Sequence, residues 1–407
     1  MRLWRGRTTV AKFRSRSAKC MAAVVMSLVW TAAADAAPAA ESFQTIAPYA
    51  ILVDADSGAV LFEKSADTLV APASTAKIMT AEIVFHELTE HRLKLDDPFV
   101  VSENAWRNGG APSGGSAMFA AVNSRIRVED LLRGLVIDSG NDAAIALAEG
   151  IAGSEDAFAA RMTARARELG MEKSTFTNPW GRGDPDQKVT PREMARLAIH
   201  VITAYPAFYK YFGERDFTWN KVHQLNRNPL LTMNIGADGL KTGDIKESGY
   251  GLVGSAVQNG ERLVLVVNGL KTARDRANES LKLLSWGFRS FDNKTVFADD
   301  DVIGTAQVYG GESHSVDLVA DGAVKLLAPR GAAEPLTGKV LYEGPLVAPI
   351  AKGAQVAHLA LYRGGAQVLD VPLRTAHSVA VGSLPNRALD AGMEVVATFI
   401  RTNVFKR

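Results

Sequence analysis

Ser74 and Lys77 stand three residues apart in the segment APASTAKIMTA, the one Ser-x-x-Lys in the chain. On a helix beginning near Ala73, Lys77 shares a face with Ala81, Val84 and Leu88, one turn beyond Ser74. Its amine then points where apolar side chains point. Burial penalises the charged form of an amine and lowers its pKa, so a lysine placed this way can serve as a base at neutral pH. The Ser74 hydroxyl is within reach of that base, and the Ser74 N–H lies at a helix N-terminus, where the dipole favours an oxyanion. The chemistry open to this pair is attack on a carbonyl carbon by the serine oxygen.

Such a lysine needs a body that keeps water away from it. Residues 49–63, YAILVDADSGAVLFE, alternate apolar and polar on each side of DADSG, the pattern of a hairpin leading into a sheet. From about Val128 to Thr203 the chain reads as helix, in VEDLLRGLVI, NDAAIALAEGIAG, SEDAFAARMTARARELG and TPREMARLAIHVI. In the last of these Thr190 is the N-cap, Pro191 takes the first helical position and Glu193 completes a capping box. Strands return in GYGLVGSAV and RLVLVVNGL, joined by the Asn-Gly turn of QNGE, and helical RANESLKLLSWGFRSF follows. Hairpin, helical insert, hairpin and helix in that order predict an α/β fold, an antiparallel sheet with helices on its faces. After Phe291 short strands broken by Gly and Pro predict a small all-β domain of roughly ninety residues.

A lone Ser-x-x-Lys carries little weight, but two further motifs follow at suitable separations. DSGND holds Ser139 and Asn141, and DGLKTG holds Lys241, Thr242 and Gly243. Class A β-lactamases and penicillin-binding proteins carry a trio of this kind in this order. With GGSAMF, SGNDAAIALAE, LGMEKSTFTNPWG, LNRNPLL and YEGPLVAPIAKG added, residues 45 to about 372 resemble a D-alanyl-D-alanine carboxypeptidase, a low-molecular-mass penicillin-binding protein.

The resemblance implies a transpeptidase/β-lactamase-like catalytic domain over 37–292, a small all-β domain over 293–380 and a C-terminal amphipathic helix over 385–407. It implies Ser74 as the acylated nucleophile, Lys77 as its base and Ser139 as the proton relay toward the leaving amine. Asn141 would bind the peptide's amide carbonyl. Lys241 would help keep Lys77 neutral, Thr242 and Arg227 would hold the substrate's terminal carboxylate, and Gly243 would allow close approach. The backbone N–H groups of Ser74 and Asp244 would form the oxyanion hole. The implied partners are peptidoglycan stem peptides and, as inhibitors, β-lactam antibiotics; no cofactor is implied.

Each assignment has a structural alternative. Ser139 and Asn141 could cap a helix starting at Asp142, Lys241 and Thr242 could be ordinary edge-strand residues, and Arg227 could pair with a carboxylate of the fold. The Gly-rich NGGAPSGGS lacks the Gly-Lys-Ser/Thr ending of a phosphate loop and reads as a mobile loop beside the site. None of the seven histidines falls in a metal-binding spacing, so no metal is expected. The chain departs from the family after Lys-Thr-Gly, where Asp244 and Ile245 stand in place of a His or Tyr followed by Thr. A carboxylate there opposes a carboxylate substrate unless it turns away. The implied reaction is removal of the terminal D-alanine; the alternatives are a D,D-endopeptidase of cross-links and a non-catalytic wall-binding scaffold. A class A β-lactamase would need a deacylating Glu-x-x-Leu-Asn segment, which is missing after the SGN motif.

Composition agrees with an exported globular protein. The chain has 407 residues, 47% hydrophobic and 22% charged, in the range of folded proteins. Residues 1–36 carry seven basic residues before the apolar run MAAVVMSLVW and small residues around Ala36, the pattern of a secretory signal peptide. The apolar run is too short to span a bilayer. Without this segment 39 basic face 43 acidic residues and the net charge moves from +2 to −4, which gives nucleic-acid binding no electrostatic support. The single cysteine, Cys20, leaves with it. In the tail, Leu389, Gly392, Met393, Val396, Phe399 and Ile400 form a stripe opposite Asp390, Glu394 and Arg401. This fits a helix lying on a membrane surface or one docked on its own domain, and the resemblance favours a periplasmic protein held on the outer face of the inner membrane.

Overall fold

The computed structural model describes residues 43–330, 336–363 and 365–385. The expected signal peptide and C-terminal amphipathic helix lie outside the described residues. The chain forms two units that meet in sequence between Phe291 and Asp292.

The first unit is built on a five-stranded sheet. Its strands are β1 (Tyr49–Asp54), β2 (Val60–Lys64), β3 (Ala237–Ile245), β4 (Gly249–Gln258) and β5 (Glu261–Leu270), in the spatial order β2-β1-β5-β4-β3. All four pairings are antiparallel. The expected QNGE turn joins β4 to β5 with Asn259 and Gly260 at φ 52° and 78°, the paired positive angles of a type I′ hairpin. The helices are α1 (Lys77–Thr89), α2 (Val128–Val136), α3 (Asn141–Ala152), α4 (Glu155–Glu168), α5 (Pro191–Ala204) and α6 (Ala273–Ser290).

The period-2 alternation of the strands distributes their side chains between two helical layers. Ile51, Val53, Val264 and Val266 join the core shared with α1 to α5, whereas Leu52 and Leu263 face α6. There a Cβ on Gly287 would come within 2.7 Å of both leucines, so this glycine sets how closely α6 packs. Helix α3 runs through the middle of the helical layer, with Ala143 to Ala148 all fully buried. A helix apolar all round belongs in a core, and this one anchors the DSGND turn at its N-terminus.

Three local expectations change. The helix does not begin at Ala73: Ala73–Ala76 is a 3₁₀ turn and the α-helix starts at Lys77. Ala73 sits at φ 49°, and the Thr75 hydroxyl and N–H both bond to the Pro72 carbonyl, which tightens the turn. The Gly-rich segment is folded into helical turns at Ala105–Gly109 and Ala111–Ser113. It is tied by the Ser113 hydroxyl to Gly110 and pressed so close to α3 that a Cβ on Gly109 would fall 2.5 Å from the Asp142 nitrogen. At the start of α5, Thr190 accepts the Glu193 N–H as expected, but the Glu193 carboxylate turns to Lys173 N and the Ser174 hydroxyl. Two donors of the preceding turn outcompete the single N–H of the N-cap.

The second unit is all-β, as expected. Its six-stranded sheet runs, in spatial order, Leu336–Tyr342, Gln355–Arg363, Ala366–Thr375, Ser315–Val319, Gly304–Tyr309 and Leu346–Val347. Phe291–Phe297 and Val324–Pro329 form a separate two-stranded sheet. Ala306, Val316, Leu318, Leu326, Leu359 and Leu373 are buried in this unit.

Replacing Thr190 with Ala removes the one side-chain cap of α5. The expected loss is about 1 kcal/mol of stability, a fall in Tm of roughly 2–4 °C by thermal melting.

Candidate active site

The chain brings the three motifs together from three structural sources. The 3₁₀ turn ahead of α1 and the first residue of α1 carry Ser74 and Lys77, the α2–α3 turn and the first residue of α3 carry Ser139 and Asn141, and β3 carries Lys241, Thr242 and Gly243. Strand β3 lies at the edge of the sheet, free on one side to meet the nucleophile turn. Gly243 is the point of contact. A Cβ there would stand 3.0 Å from the Pro72 carbonyl oxygen and from the backbone nitrogens of Ser74 and Thr75. From the other side Gly181, at φ 88°, approaches Ala73 so closely that a Cβ would fall 1.9 Å from its carbonyl oxygen. Two glycines thus clamp the turn on which Ser74 sits.

Lys77 is fully buried. Its Nζ lies 3.1 Å from Ser74 Oγ, 2.7 Å from Asn141 Oδ1 and 2.7 Å from the Trp180 carbonyl oxygen. An ammonium would donate to all three. A neutral amine has two N–H groups, and the amide and carbonyl oxygens, which only accept, take both. The remaining lone pair then faces the Ser74 hydroxyl, the arrangement of a base about to accept a proton. Burial drives the Lys77 pKa well below the ordinary lysine value, the positive charges of Lys241 and Arg227 drive it further, and Asp142 opposes them.

Lys241 is 2% exposed, and its Nζ donates to the Thr242 carbonyl at 3.2 Å. Burial lowers its pKa to about 7, aided by Arg227 and Arg276 and opposed by Asp244 and Asp138. Thr242 is 4% exposed beside it. Arg227 lies on the surface over the site, with Nη1 donating to Ser116 Oγ at 2.6 Å rather than pairing with a carboxylate of the fold. Ser139 is 2% exposed and held at φ 60°. Neither it nor Asn141 caps α3: the N-cap is Gly140, and no side chain bonds there. Asn141 spends its oxygen on Lys77, which leaves its amide N–H groups for a carbonyl.

Residues 33–272 match the D-alanyl-D-alanine carboxypeptidase family and 291–381 match the penicillin-binding protein 5 C-terminal domain. The chain belongs to the D-alanyl-D-alanine carboxypeptidase family. It is 40% identical over 343 residues to D-alanyl-D-alanine carboxypeptidase DacC of Escherichia coli, covering 84% of this chain and 86% of that protein. It is 35% identical over 332 residues to DacA of Haemophilus influenzae, covering 81% and 84%. Among solved structures, penicillin binding protein 5 of Haemophilus influenzae aligns with TM-score 0.75 at 35% identity, covering 84% of this chain and 100% of that one. Penicillin binding protein 6B of Escherichia coli aligns with TM-score 0.65 at 30% identity, covering 82% of this chain and 96% of that one.

Within this D-alanyl-D-alanine carboxypeptidase family member, the departure at Asp244 has a local explanation. The Asp244 side chain is 58% exposed and its Oδ1 lies 3.8 Å from Nη1 of Arg276 on α6. Arg276 is itself 8% exposed and stacks over the Tyr250 ring at 5.6 Å. A buried guanidinium therefore draws the carboxylate outward and leaves the Asp244 backbone on β3. Sequence motifs do not mark Arg276, nor the Trp180 carbonyl: a main-chain oxygen has no residue-type signal. Trp180 is fixed through its indole, which donates to Glu155 Oε2 at 2.9 Å, and Thr80 of α1 donates to the neighbouring Pro179 carbonyl.

Gly243→Ala places a methyl group against the nucleophile turn. Acylation by a fluorescent penicillin is expected to slow by roughly 10- to 100-fold with Tm nearly unchanged; an unaltered rate would show that the close approach is dispensable.

Proposed function

We propose that this chain removes the terminal D-alanine from peptidoglycan stem peptides through an acyl-enzyme on Ser74, and that β-lactams acylate the same oxygen. The observation that carries the reading is the buried Lys77 amine, with two acceptors on its N–H groups and Ser74 Oγ at 3.1 Å.

Ser74 Oγ attacks the carbonyl carbon of the penultimate residue as its proton passes to Lys77 Nζ. The oxyanion that forms is met by the backbone N–H groups of Ser74 and Asp244. Collapse breaks the C–N bond; the proton returns to the leaving nitrogen through the Ser139 hydroxyl, and D-alanine departs. Water, deprotonated by the same lysine, then attacks the ester carbon, which frees the shortened peptide and restores the Ser74 hydroxyl. Asn141 donates to the peptide's amide carbonyl, while Lys241, Thr242 and Arg227 bind the terminal carboxylate.

Two charge states are required together, a neutral Lys77 and a cationic Lys241. Burial depresses both, and a cationic Lys241 depresses Lys77 further. Activity rises with pH as Lys77 loses its proton and falls as Lys241 loses its own near pH 7 in the free protein. A bound carboxylate stabilises the Lys241 cation and carries that fall to higher pH. Lys77→Ala is expected to lower the rate of penicillin acylation by about 10²–10⁴-fold. Labelling at the wild-type rate would remove Lys77 from the role of base.

The location is read from sequence. The basic-then-apolar N-terminus supports export, and the amphipathic stripe of residues 385–407 supports attachment to the outer face of the inner membrane. Among the described residues no helix is long and apolar enough to cross a membrane. Deleting 385–407 is expected to move the protein from the membrane pellet to the soluble periplasmic fraction; continued pelleting would assign attachment to another part of the chain.

A further inference from the structure

One N–H of Lys77 ends on a main-chain oxygen, and the peptide that carries it lies in a segment without regular secondary structure. Such an oxygen is placed only as well as the bonds that hold its peptide. Within the segment Asn178 Oδ1 accepts from the N–H groups of Gly181 at 2.8 Å and Arg182 at 2.9 Å, and Thr80 of α1 donates to the Pro179 carbonyl. The side chain of Trp180 is tied elsewhere. Its indole Nε1 donates at 2.9 Å to Oε2 of Glu155, the first residue of α4. The guanidinium of Arg182 lies over the indole ring, 5.8 Å from its centroid.

Glu155 is itself held at both oxygens. Ser154 caps α4 just ahead of it by accepting the Ala157 N–H, and Glu155 Oε1 accepts from Asn104 Nδ2 at 3.0 Å. The same amide donates to Glu149 Oε1 on α3 at 2.9 Å. Two helices and the segment leading into the Ala105–Gly109 turn therefore fix the direction of this carboxylate. We propose that Glu155 is a positioning residue of the reaction: through the Trp180 indole it fixes the main-chain oxygen that takes a Lys77 N–H, and so aims the Lys77 lone pair at Ser74. It bonds to neither Lys77 nor Ser74 and acts only through Trp180.

A neutral amine with both N–H groups engaged has one orientation, with its lone pair toward Ser74. If the Trp180 peptide swings away, Asn141 holds one N–H and the other is free to turn toward Ser74. A donor then stands where an acceptor is required. The nucleophile turn feels the same displacement, because Gly181, next to Trp180, packs against Ala73. The effect runs through a hydrogen bond rather than through charge, so an amide oxygen in place of Glu155 Oε2 serves as well. The inference rests on the carboxypeptidase reading above, and the test separates the two.

Acylation by a fluorescent penicillin is followed by stopped flow over a range of concentrations, which resolves the dissociation constant of the first complex from the rate constant of the covalent step. Glu155→Ala, and Trp180→Phe, which keeps the carbonyl and loses the indole N–H, are each expected to slow the covalent step by about tenfold. The dissociation constant is expected to be unchanged and Tm to stay within about 4 °C of wild type. Combined, the two substitutions are expected to cost no more than either alone, because both break the same bond. Glu155→Gln, which keeps an oxygen for the indole, is expected to restore most of the lost rate. An unaltered rate in Trp180→Phe, a loss carried by the dissociation constant, losses that multiply in the double variant, or no recovery with Gln would each overturn the proposal. A wild type that is not acylated on Ser74 and releases no D-alanine from a D-Ala-D-Ala peptide would instead overturn the carboxypeptidase reading.

Discussion

The site depends on a lysine amine that is shut away from water without a counter-ion. Everything around Lys77 serves either to exclude solvent or to discourage its charge. Helix α1 buries it, an amide oxygen and a main-chain carbonyl take its N–H groups, and the charges that weigh most on it, those of Lys241 and Arg227, are positive. A carboxylate bonded to Nζ would have stabilised the ammonium and removed the base. The neutral acceptors satisfy its hydrogen-bonding capacity while leaving the proton affinity low.

That arrangement imposes a second condition on the opposite wall. In the proposed reaction Lys241 is charged, so that a carboxylate binds and Lys77 stays neutral, yet it is buried as Lys77 is. The two lysines therefore differ in their surroundings rather than in their chemistry. Lys241 feels two carboxylates, Asp244 and Asp138, whereas Lys77 feels only Asp142, whose oxygens are taken by backbone N–H groups. Placing unlike electrostatic environments on either side of one cleft is how two identical side chains take opposite protonation states.

Much of this was legible in the residues. Helices α2 to α6 and the β4–β5 hairpin follow from amphipathic period, Thr190 as N-cap and the Asn-Gly turn, all local signals. The three motifs mark Ser74, Lys77, Ser139, Asn141, Lys241, Thr242 and Gly243, and the structure gathers them. What local signals could not convey is how elements distant in sequence compete for the same groups. Glu193 fits a capping box by spacing, yet two donors on a preceding turn claim its carboxylate. Likewise the glycine-rich stretch looks unconstrained until α3 is packed against Gly109. Asp138 reads as an ordinary turn aspartate until burial shows that nothing bonds to it.

The clamp on the nucleophile turn has a consequence for the life of the chain before it is fully folded. Ser74 sits near the start of the catalytic unit and Gly243 near its end, joined only when the last strands close the sheet. A nascent or half-assembled molecule holds the serine but not the wall that activates it. In the proposed reaction hydrolytic power therefore requires β3 in place against the turn, and covalent capture of an antibiotic reports molecules in which it is.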